Sequence, residues 1–275
     1  MSWFNKIIGS LFAVLIAPFQ ELDPMWGLLW ISGLTGMLVL FIYKSFSNQQ
    51  EIEKVKNQLK SCLLALRLFQ DDPVQMGKTV GTILAKNIRY FQLNLKPFMV
   101  MILPVVLIMI QMDLRFGHRP LHPGESTLLK VFWNQKEDYS KAREIQIETT
   151  GAIRIDTSPV YIPSKREVAW RICGLSAGCH PIHIKSPNGT NTQHVLVSSV
   201  LLPVASKSVS KGFWNELLHP GNPPLSSDFP AAVEIEYPSR SIHLFSDVSL
   251  HWIVLFFIAT LCTGFALKGV LGIQI

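Results

Sequence analysis

The chain has 275 residues, of which 48% are hydrophobic and only 16% are charged, and its formal net charge is +6. Soluble domains carry roughly 25% charged residues, so this composition excludes an intrinsically disordered chain and argues against a purely soluble domain. Four cysteines are too few for a disulfide-framework protein. The mean hydropathy of +0.28, with apolar residues gathered in long runs, predicts a multi-span membrane protein with one water-soluble part.

Residues 1–24 contain an apolar run, Ile7 to Ala17, that follows Lys6. The run is too short to cross the hydrocarbon core, which needs about 20 residues. We therefore expect an N-terminal interfacial helix whose aromatic side chains, Trp3, Phe4 and Phe12, dip into the lipid. A cleaved signal peptide is the alternative, although no small-x-small cleavage site closes the run.

Residues 25–112 carry the first two predicted transmembrane helices. Met25 to Tyr43 contains no charged residue and is long enough to span. Pro97 to Met112 is also uncharged, and it reaches spanning length if its helix begins near Phe91. A buried core helix is the alternative for this second segment.

The loop between these two spans, residues 44–96, holds nine basic and four acidic groups, an excess of five positive charges. Loops rich in lysine and arginine stay on the cytoplasmic side. With three spans, this rule places the N-terminus and residues 113–249 outside and the C-terminus inside. The basic isoelectric point is therefore explained by topology and does not by itself indicate nucleic-acid binding.

The same loop shows two apolar stripes at helical spacing, separated by Asp71-Asp72-Pro73, a sequence typical of a turn and a new helix start. The first stripe follows a heptad pattern: Ile52, Val55, Leu59, Cys62, Leu66 and Phe69. The second comprises Val80, Leu84, Ile88, Phe91 and Leu95. The pattern predicts a cytoplasmic antiparallel coiled-coil hairpin in which the two stripes face each other. Two helices lying on the membrane surface are the alternative.

Residues 113–249 change to an alternating pattern of apolar and polar residues, punctuated by glycine and proline. The alternating apolar positions are Ile145, Ile147, Ile153, Ile155, Val168, Trp170, Ile172, Ile182, Ile184, Val195, Val197, Val233, Ile235 and Tyr237. This region is predicted to be an extracytoplasmic all-β sandwich of roughly immunoglobulin-like size. Residues 250–275 then form the third transmembrane helix, Leu250 to Leu267, and a short cytoplasmic tail.

Two cysteines of the β region, Cys173 and Cys179, bracket a short glycine-containing segment. They could form a disulfide across a hairpin turn in an oxidising compartment, and two free thiols are the alternative. His180 and His183 are three residues apart, so in a strand they point to opposite faces and do not converge on a metal. No nucleophile–base set is evident in the sequence. We therefore expect no enzyme activity, metal, cofactor or small-molecule substrate.

The order of one span, a cytoplasmic helical hairpin and two further spans resembles the three-helix core of the YidC/Oxa insertase superfamily. The closer resemblance is to the branch that contains the insertase-like subunit of the ER membrane complex and its prokaryotic relatives. It rests on YKSFSNQQEIEKVKNQLK (43–60), LRLFQDDP (66–73) and LKPFMVMILPVVLIMIQMDLRFGHRPLHPGE (95–125). The β region is not part of that core.

The resemblance implies a membrane-protein insertase or insertion chaperone with a polar intramembrane groove. The groove candidates are the polar residues of the spans, Thr35, Gln111, Thr260 and Thr263, whose alternative role is helix–helix hydrogen bonding. The implied partners are nascent membrane-protein clients and the lipid bilayer, with the ribosome or translocon as further candidates. The implied location is the cytoplasmic membrane of a bacterium, with the ER membrane as the alternative.

A membrane-anchored scaffold is the alternative function. In it the external β domain binds a partner protein and the spans serve as an anchor. The two functions differ at the groove, because a scaffold should bury its intramembrane polar groups between tightly packed helices.

Overall fold

The computed structural model describes residues 2–20, 22–68, 72–133, 139–186, 189–222, 224–225, 232–245, 248–269 and 272. The chain forms two compact units. One, the β unit, consists of residues 1–28 and 109–252. The other, the helical unit, consists of residues 29–108 and 253–275.

The helices are α1 (Ser2–Ile16), α2 (Pro24–Phe46), α3 (Gln49–Leu68), α4 (Pro73–Met112), α5 (Phe213–Leu218) and α6 (Trp252–Lys268). By length and composition, α2 and α4 are able to cross a membrane. The apolar helix α6 has 17 residues and is shorter than these two. The prediction that the second span continues the second hairpin helix is confirmed, because α4 is one helix of 40 residues.

Side-chain caps determine where three of these helices begin. The Asp23 carboxylate accepts a hydrogen bond from the Met25 amide at the start of α2. Asn48 caps α3 through the Glu51 amide. Asp72 accepts from the amides of Val74 and Gln75 at the start of α4, where Pro73 occupies the first helical position. These caps satisfy amides that the first turn of a helix leaves without partners. The predicted turn is thus confirmed at Asp72, while Asp71 lies outside the described residues.

In the helical unit, α3 follows its predicted heptad. Ile52 and Val55 are buried, and the next positions of the stripe are half-buried: Leu59, Cys62 and Leu66. The last predicted position, Phe69, lies outside the described residues. Ile52 packs in a cluster with Leu40 and Tyr43 of α2 and with Tyr90 and Leu93 of α4. An ion pair of 2.9 Å between Arg89 and Glu51 also joins the two hairpin helices. The base of the hairpin is therefore packed.

The second predicted stripe does not pack on α3, and this part of the prediction is wrong. Its five residues are all exposed, and Leu84, Ile88 and Phe91 are 60–65% exposed. The less exposed residues of α4 recur at helical spacing on the opposite side: Thr79, Ile83, Lys86, Tyr90 and Leu93. Periodicity identifies an apolar stripe but not the neighbour that it faces.

In the β unit, the strands are β1 (Ser126–Phe132), β2 (Gln146–Thr149), β3 (Ile153–Ile155), β4 (Val160–Ile162), β5 (Glu167–Gly174), β6 (Gly178–Ser186), β7 (Gly189–Val197), β8 (Lys207–Val209), β9 (Ala232–Ile235), β10 (Ile242–Phe245) and β11 (Val248–Leu250). The larger sheet has the order β3-β5-β1-β9-β8, with β4 also paired to β5. The smaller sheet has the order β2-β6-β7, and β10 and β11 form a hairpin. The pairings within these sheets are antiparallel.

Both sheets contribute to one hydrophobic core. Val131 and Trp170 of the larger sheet and Ile182 and Val195 of the smaller sheet belong to the same buried cluster. Polar contacts join the sheets as well, since the Ser208 hydroxyl donates to Gln193 Oε1 at 2.7 Å. The predicted β region with alternating buried positions is thus confirmed.

Cys173 and Cys179 are not bonded to each other in the structure. Cys173 is buried in β5, whereas Cys179 is exposed in β6. These strands are consecutive but belong to different sheets, so the segment between them crosses from one sheet to the other. The hairpin turn on which the disulfide prediction depended is therefore absent from this described segment.

The N-terminal segment is a helix, as predicted, but Phe12 is not free to enter lipid. Phe12 and Ile16 are buried inside the β unit. The Asn5 side-chain amide also donates to the Glu216 carbonyl of α5 at 2.7 Å. The helix α1 is therefore packed against the protein through one face. The side chains of Trp3 and Phe4 lie outside the described part of the structure.

Candidate functional site

Two predicted groove residues, Thr260 and Thr263, pack closely against α2. A Cβ atom at Gly36 would lie 2.9 Å from the Thr260 carbonyl oxygen and 3.0 Å from Thr263 Cβ. Only glycine allows two helices to approach this closely. The position of Gly36 therefore sets a tight seam between α2 and α6.

The hydroxyl groups of three predicted groove residues donate to helix carbonyls. Thr35 is buried and donates to the Ile31 carbonyl at 2.7 Å. Thr263 donates to the Ala259 carbonyl at 2.9 Å, and Thr260 donates across the seam to the Ser32 carbonyl at 3.3 Å. The structure thus brings Thr260 and Thr263 to the interface between α2 and α6, whereas the Thr35 hydroxyl is bonded within α2.

The fourth predicted groove residue, Gln111, belongs to the β unit and is buried beside Arg115. Arg115 donates to both the backbone carbonyl and the side-chain Oε1 of Gln111, at 3.1 and 3.2 Å. Its other terminal nitrogen donates to the Gly9 carbonyl, and its guanidinium lies 5.7 Å from the Phe12 ring centroid. Sequence analysis overlooked Arg115, although a lone arginine three residues after an apolar span is a detectable signal.

The helical unit contains an apolar pocket that the sequence analysis did not identify. Its volume is about 330 Å³, and it lies where the end of α2 meets α4. The lining residues are Tyr43, Phe91, Asn94, Leu95, Phe98 and Met101. Four of these six side chains are apolar: Phe91, Leu95, Phe98 and Met101. The pocket therefore suits an apolar chain or side chain.

Tyr43 and Asn94 form a hydrogen-bonded pair in the wall of this pocket. The Tyr43 hydroxyl donates to Asn94 Oδ1 at 2.5 Å, and Asn94 Nδ2 donates to the Tyr90 carbonyl at 2.7 Å. An amide group offers two donors and an acceptor with two lone pairs, so these bonds do not exhaust Asn94. An entering polar group would therefore find a partner in an otherwise apolar surface.

A proline interrupts the hydrogen bonding of α4 within the stretch of the helix that also lines the pocket. Pro97 lies inside the helix and has no amide hydrogen, so the Leu93 carbonyl lacks its usual helical donor. In an apolar environment a backbone carbonyl without a donor is costly, and it favours any polar group that can reach it.

The exposed side of α4 forms a long apolar face that begins well before the pocket and continues beyond it. Residues on one side of a helix recur every three or four positions, and here this series is uncharged. Its members are Gly77, Gly81, Leu84, Ile88, Phe91, Leu95, Met99, Ile102 and Val106, all of them exposed. We call this series the α4 face. Lys78, Arg89 and Lys96 lie beside it on the same helix.

Comparison with known proteins matched no family model, no curated protein and no solved structure. Among the described residues, no group of three or more histidine, cysteine, aspartate or glutamate side chains is placed to hold a metal ion. The candidate site is therefore defined by the geometry of the pocket and the α4 face.

Proposed function

We propose that this protein is a membrane-protein insertase or insertion chaperone. In this proposal α2, the second half of α4 and α6 are three transmembrane helices, α3 and the first half of α4 form a cytoplasmic helical hairpin that is packed at its base, and the β region lies outside. The resemblance to the YidC/Oxa core motivates the proposal. The pocket with its Tyr43–Asn94 pair is the observation that carries it.

The chemistry of the pocket matches what insertion requires. A polar group that enters hydrocarbon loses its hydrogen bonds to water, at a cost of several kcal/mol, unless it finds another partner. The Asn94 amide supplies such a partner within an apolar wall. Client side chains of both kinds, polar and apolar, would thus be accommodated at one place.

The α4 face supports the same function because it is apolar along about 30 residues. At 1.5 Å per residue this amounts to roughly 44 Å, which is more than the hydrocarbon thickness of about 30 Å. An apolar client segment could therefore remain in contact with one continuous surface while it passes from water into lipid. The positive charge of residues 44–96 supports a cytoplasmic position for the first part of this surface, on the side where clients are synthesised.

A scaffold is the second candidate function, and the α2–α6 seam favours it. Thr260 and Thr263, which were expected in a groove, are used for helix packing, as in a protein whose spans serve as an anchor. In that case the external β domain would be the binding part. The two functions predict different neighbours for the pocket during translation.

Site-specific photo-crosslinking distinguishes the two. A photo-reactive phenylalanine replaces Phe98, which lines the pocket, or Phe257, an exposed phenylalanine of α6 that serves as the matched control. The insertase proposal predicts crosslinks to nascent membrane proteins from position 98 that disappear when translation stops, and at least fivefold fewer from position 257. Equal crosslinking from both positions, or crosslinks to lipid alone, would contradict the insertase and favour the scaffold.

A further inference from the structure

Two arginines lie on one face of a short β ribbon in the β unit. His118 forms an antiparallel bridge with Ser239, the Arg119 amide donates to the Pro238 carbonyl and the Arg240 amide donates to the Gly117 carbonyl. Residues on either side of a bridged pair point to the opposite face of a ribbon from that pair. Arg119 and Arg240 therefore share a face and stand diagonally across it, at a Cα separation of about 7–8 Å.

Arg119 is already neutralised by a carboxylate. Its two terminal nitrogens each donate to a Glu125 oxygen at 2.7 Å, in the bidentate geometry that guanidinium groups form with carboxylates. The Glu125 carboxylate also accepts from the His122 amide. Arg119 and Glu125 together contribute no net charge to the ribbon.

Arg240, in contrast, forms no ion pair with any carboxylate of the described residues. Its Nε–H group is buried and has no hydrogen-bond partner within the part of the chain that the structure describes. Partial burial lowers the pKa of Arg240, and the nearby guanidinium of Arg119 lowers it further. A buried guanidinium donor without a partner is costly.

The ribbon lies between the ends of two apolar helices in the chain. Its first strand begins six residues after the end of α4, and its second ends twelve residues before α6 begins. If α4 and α6 cross the membrane as proposed above, the chain enters the ribbon from one span and leaves it for another. Arg119 would then follow the end of one span by only seven residues, and arginines that closely flank a span commonly meet lipid headgroups.

We propose that Arg240, with Arg119 beside it, binds a phosphate group, and that in the membrane this group is the phosphodiester of a phospholipid headgroup. A guanidinium donates two parallel N–H groups to phosphate oxygens, which makes arginine well suited to this ligand. The ligand supplies the anion that the Arg240 guanidinium lacks among the described residues. The site depends on the proposed membrane topology but not on insertase activity.

The test uses the full-length protein, purified in detergent and supplied with phosphatidylglycerol, with bound lipid counted by native mass spectrometry. Arg240→Gln removes the charge, and Arg240→Lys retains it without the planar donor fork. Arg154→Gln is the matched control, because Arg154 is an exposed arginine of the same unit, paired with Asp156. A competition arm adds inorganic phosphate at millimolar concentration.

We expect Arg240→Gln to reduce retained phosphatidylglycerol at least fivefold, Arg240→Lys to reduce it less, and Arg154→Gln to change it less than twofold. Equal retention by wild type and Arg240→Gln, or an equal loss in Arg154→Gln, would overturn the proposal. Displacement of the lipid by inorganic phosphate would retain the phosphate site but overturn the lipid as its ligand. Thermal unfolding of each variant shows whether a loss of lipid reflects the site or a loss of fold.

Discussion

Arg115 donates a hydrogen bond of 3.1 Å to the backbone carbonyl of Gly9, a residue 106 positions earlier in the chain. Because the same guanidinium also binds Gln111 and lies over Phe12, one side chain joins the end of α4 to the middle of α1. A buried arginine without a carboxylate partner among the described residues is stabilised here by carbonyl oxygens and by the Phe12 ring. The contact predicts that α1 depends on Arg115 for its position.

Replacing Arg115 with methionine should release α1. Hydrogen bonds that involve a charged group contribute about 1.5–3 kcal/mol, so amide hydrogen exchange of residues 10–16 should accelerate about tenfold or more. Arg115→Lys keeps the charge but not the fork and should give a smaller effect. Arg154→Met is the control for loss of an arginine from the β unit. If Arg115→Met, Arg115→Lys and Arg154→Met all exchange at the wild-type rate, Arg115 does not hold α1.

Gly36 and Gly264 provide a matched pair for the α2–α6 seam. A methyl group at Gly36 meets the Thr260 carbonyl at 2.9 Å, whereas nothing lies within 4 Å of a methyl group at Gly264. Gly36→Ala should therefore cost about 1–3 kcal/mol of stability, because the helices must move apart. Gly264→Ala should be neutral or stabilising by up to about 1 kcal/mol, since alanine favours a helix. Thermal unfolding in detergent measures both, and equal melting temperatures would contradict the seam.

The Tyr43–Asn94 hydrogen bond should be measurable by a double-mutant cycle. Tyr43→Phe and Asn94→Leu should each lower stability by about 1 kcal/mol or more, because each leaves the other polar group without this partner. The double variant should lose less than the sum, with a coupling energy of about 1 kcal/mol. Strict additivity of the two losses, measured by unfolding in detergent, would indicate that the bond is not formed.

The two cysteines of the β unit should differ in reactivity. Maleimide should modify the exposed Cys179 in the native protein and should reach the buried Cys173 only after unfolding. Peptide mass spectrometry reads each site separately, and the exposed thiol can be replaced by Cys179→Ser as a control. Protection of both thiols that is relieved by a reductant would instead indicate a disulfide.

The ion pair of Arg119 and Glu125 predicts an acid-sensitive part of the stability of the β unit. The side-chain hydrogen bond from Arg119 lowers the pKa of Glu125 to about 2. A lowered pKa in the folded state means that this contribution is complete above the unfolded value of about 4.5 and is lost as the pH falls through about 2.

Glu125→Gln should therefore remove about 1–2 kcal/mol at neutral pH, after allowance for solvent screening of a partly exposed pair, and should flatten the pH dependence between 4.5 and 2. Denaturant unfolding at a series of pH values measures both effects. A Glu125→Gln curve parallel to that of wild type would show that another carboxylate is responsible.

The sequence predicted those elements whose signal is local. Alternation identified β5 through Val168, Trp170 and Ile172, and Asp72-Pro73 identified the start of α4. The central strand β1 was not recognised, because the adjacent residues Leu128 and Leu129 interrupt its alternation. The structure assigns them different environments, with Leu129 in the core.

The candidate site could not be predicted in the same way because its contacts are distant in sequence. Tyr43 and Asn94 are 51 positions apart, and neither residue is unusual in its own segment. The threonines of the spans were visible as polar residues, but composition cannot distinguish a groove from the helix-packing contacts that Thr260 and Thr263 make. Only the close approach of the helices at Gly36 separates these roles.

The position of β1 at the centre of the larger sheet affects the order in which the protein can be synthesised and folded. The strand pairs on one side with β5 and on the other with β9, which ends at Ile235. One edge of β1 must therefore remain open while about 100 residues are added to the growing chain, and open strand edges are prone to mispairing. Completion of the sheet coincides with the arrival of α6, which begins at Trp252. The β domain can therefore complete its larger sheet only shortly before α6 is synthesised. A chaperone that shields the open edge of β1 would act before that point.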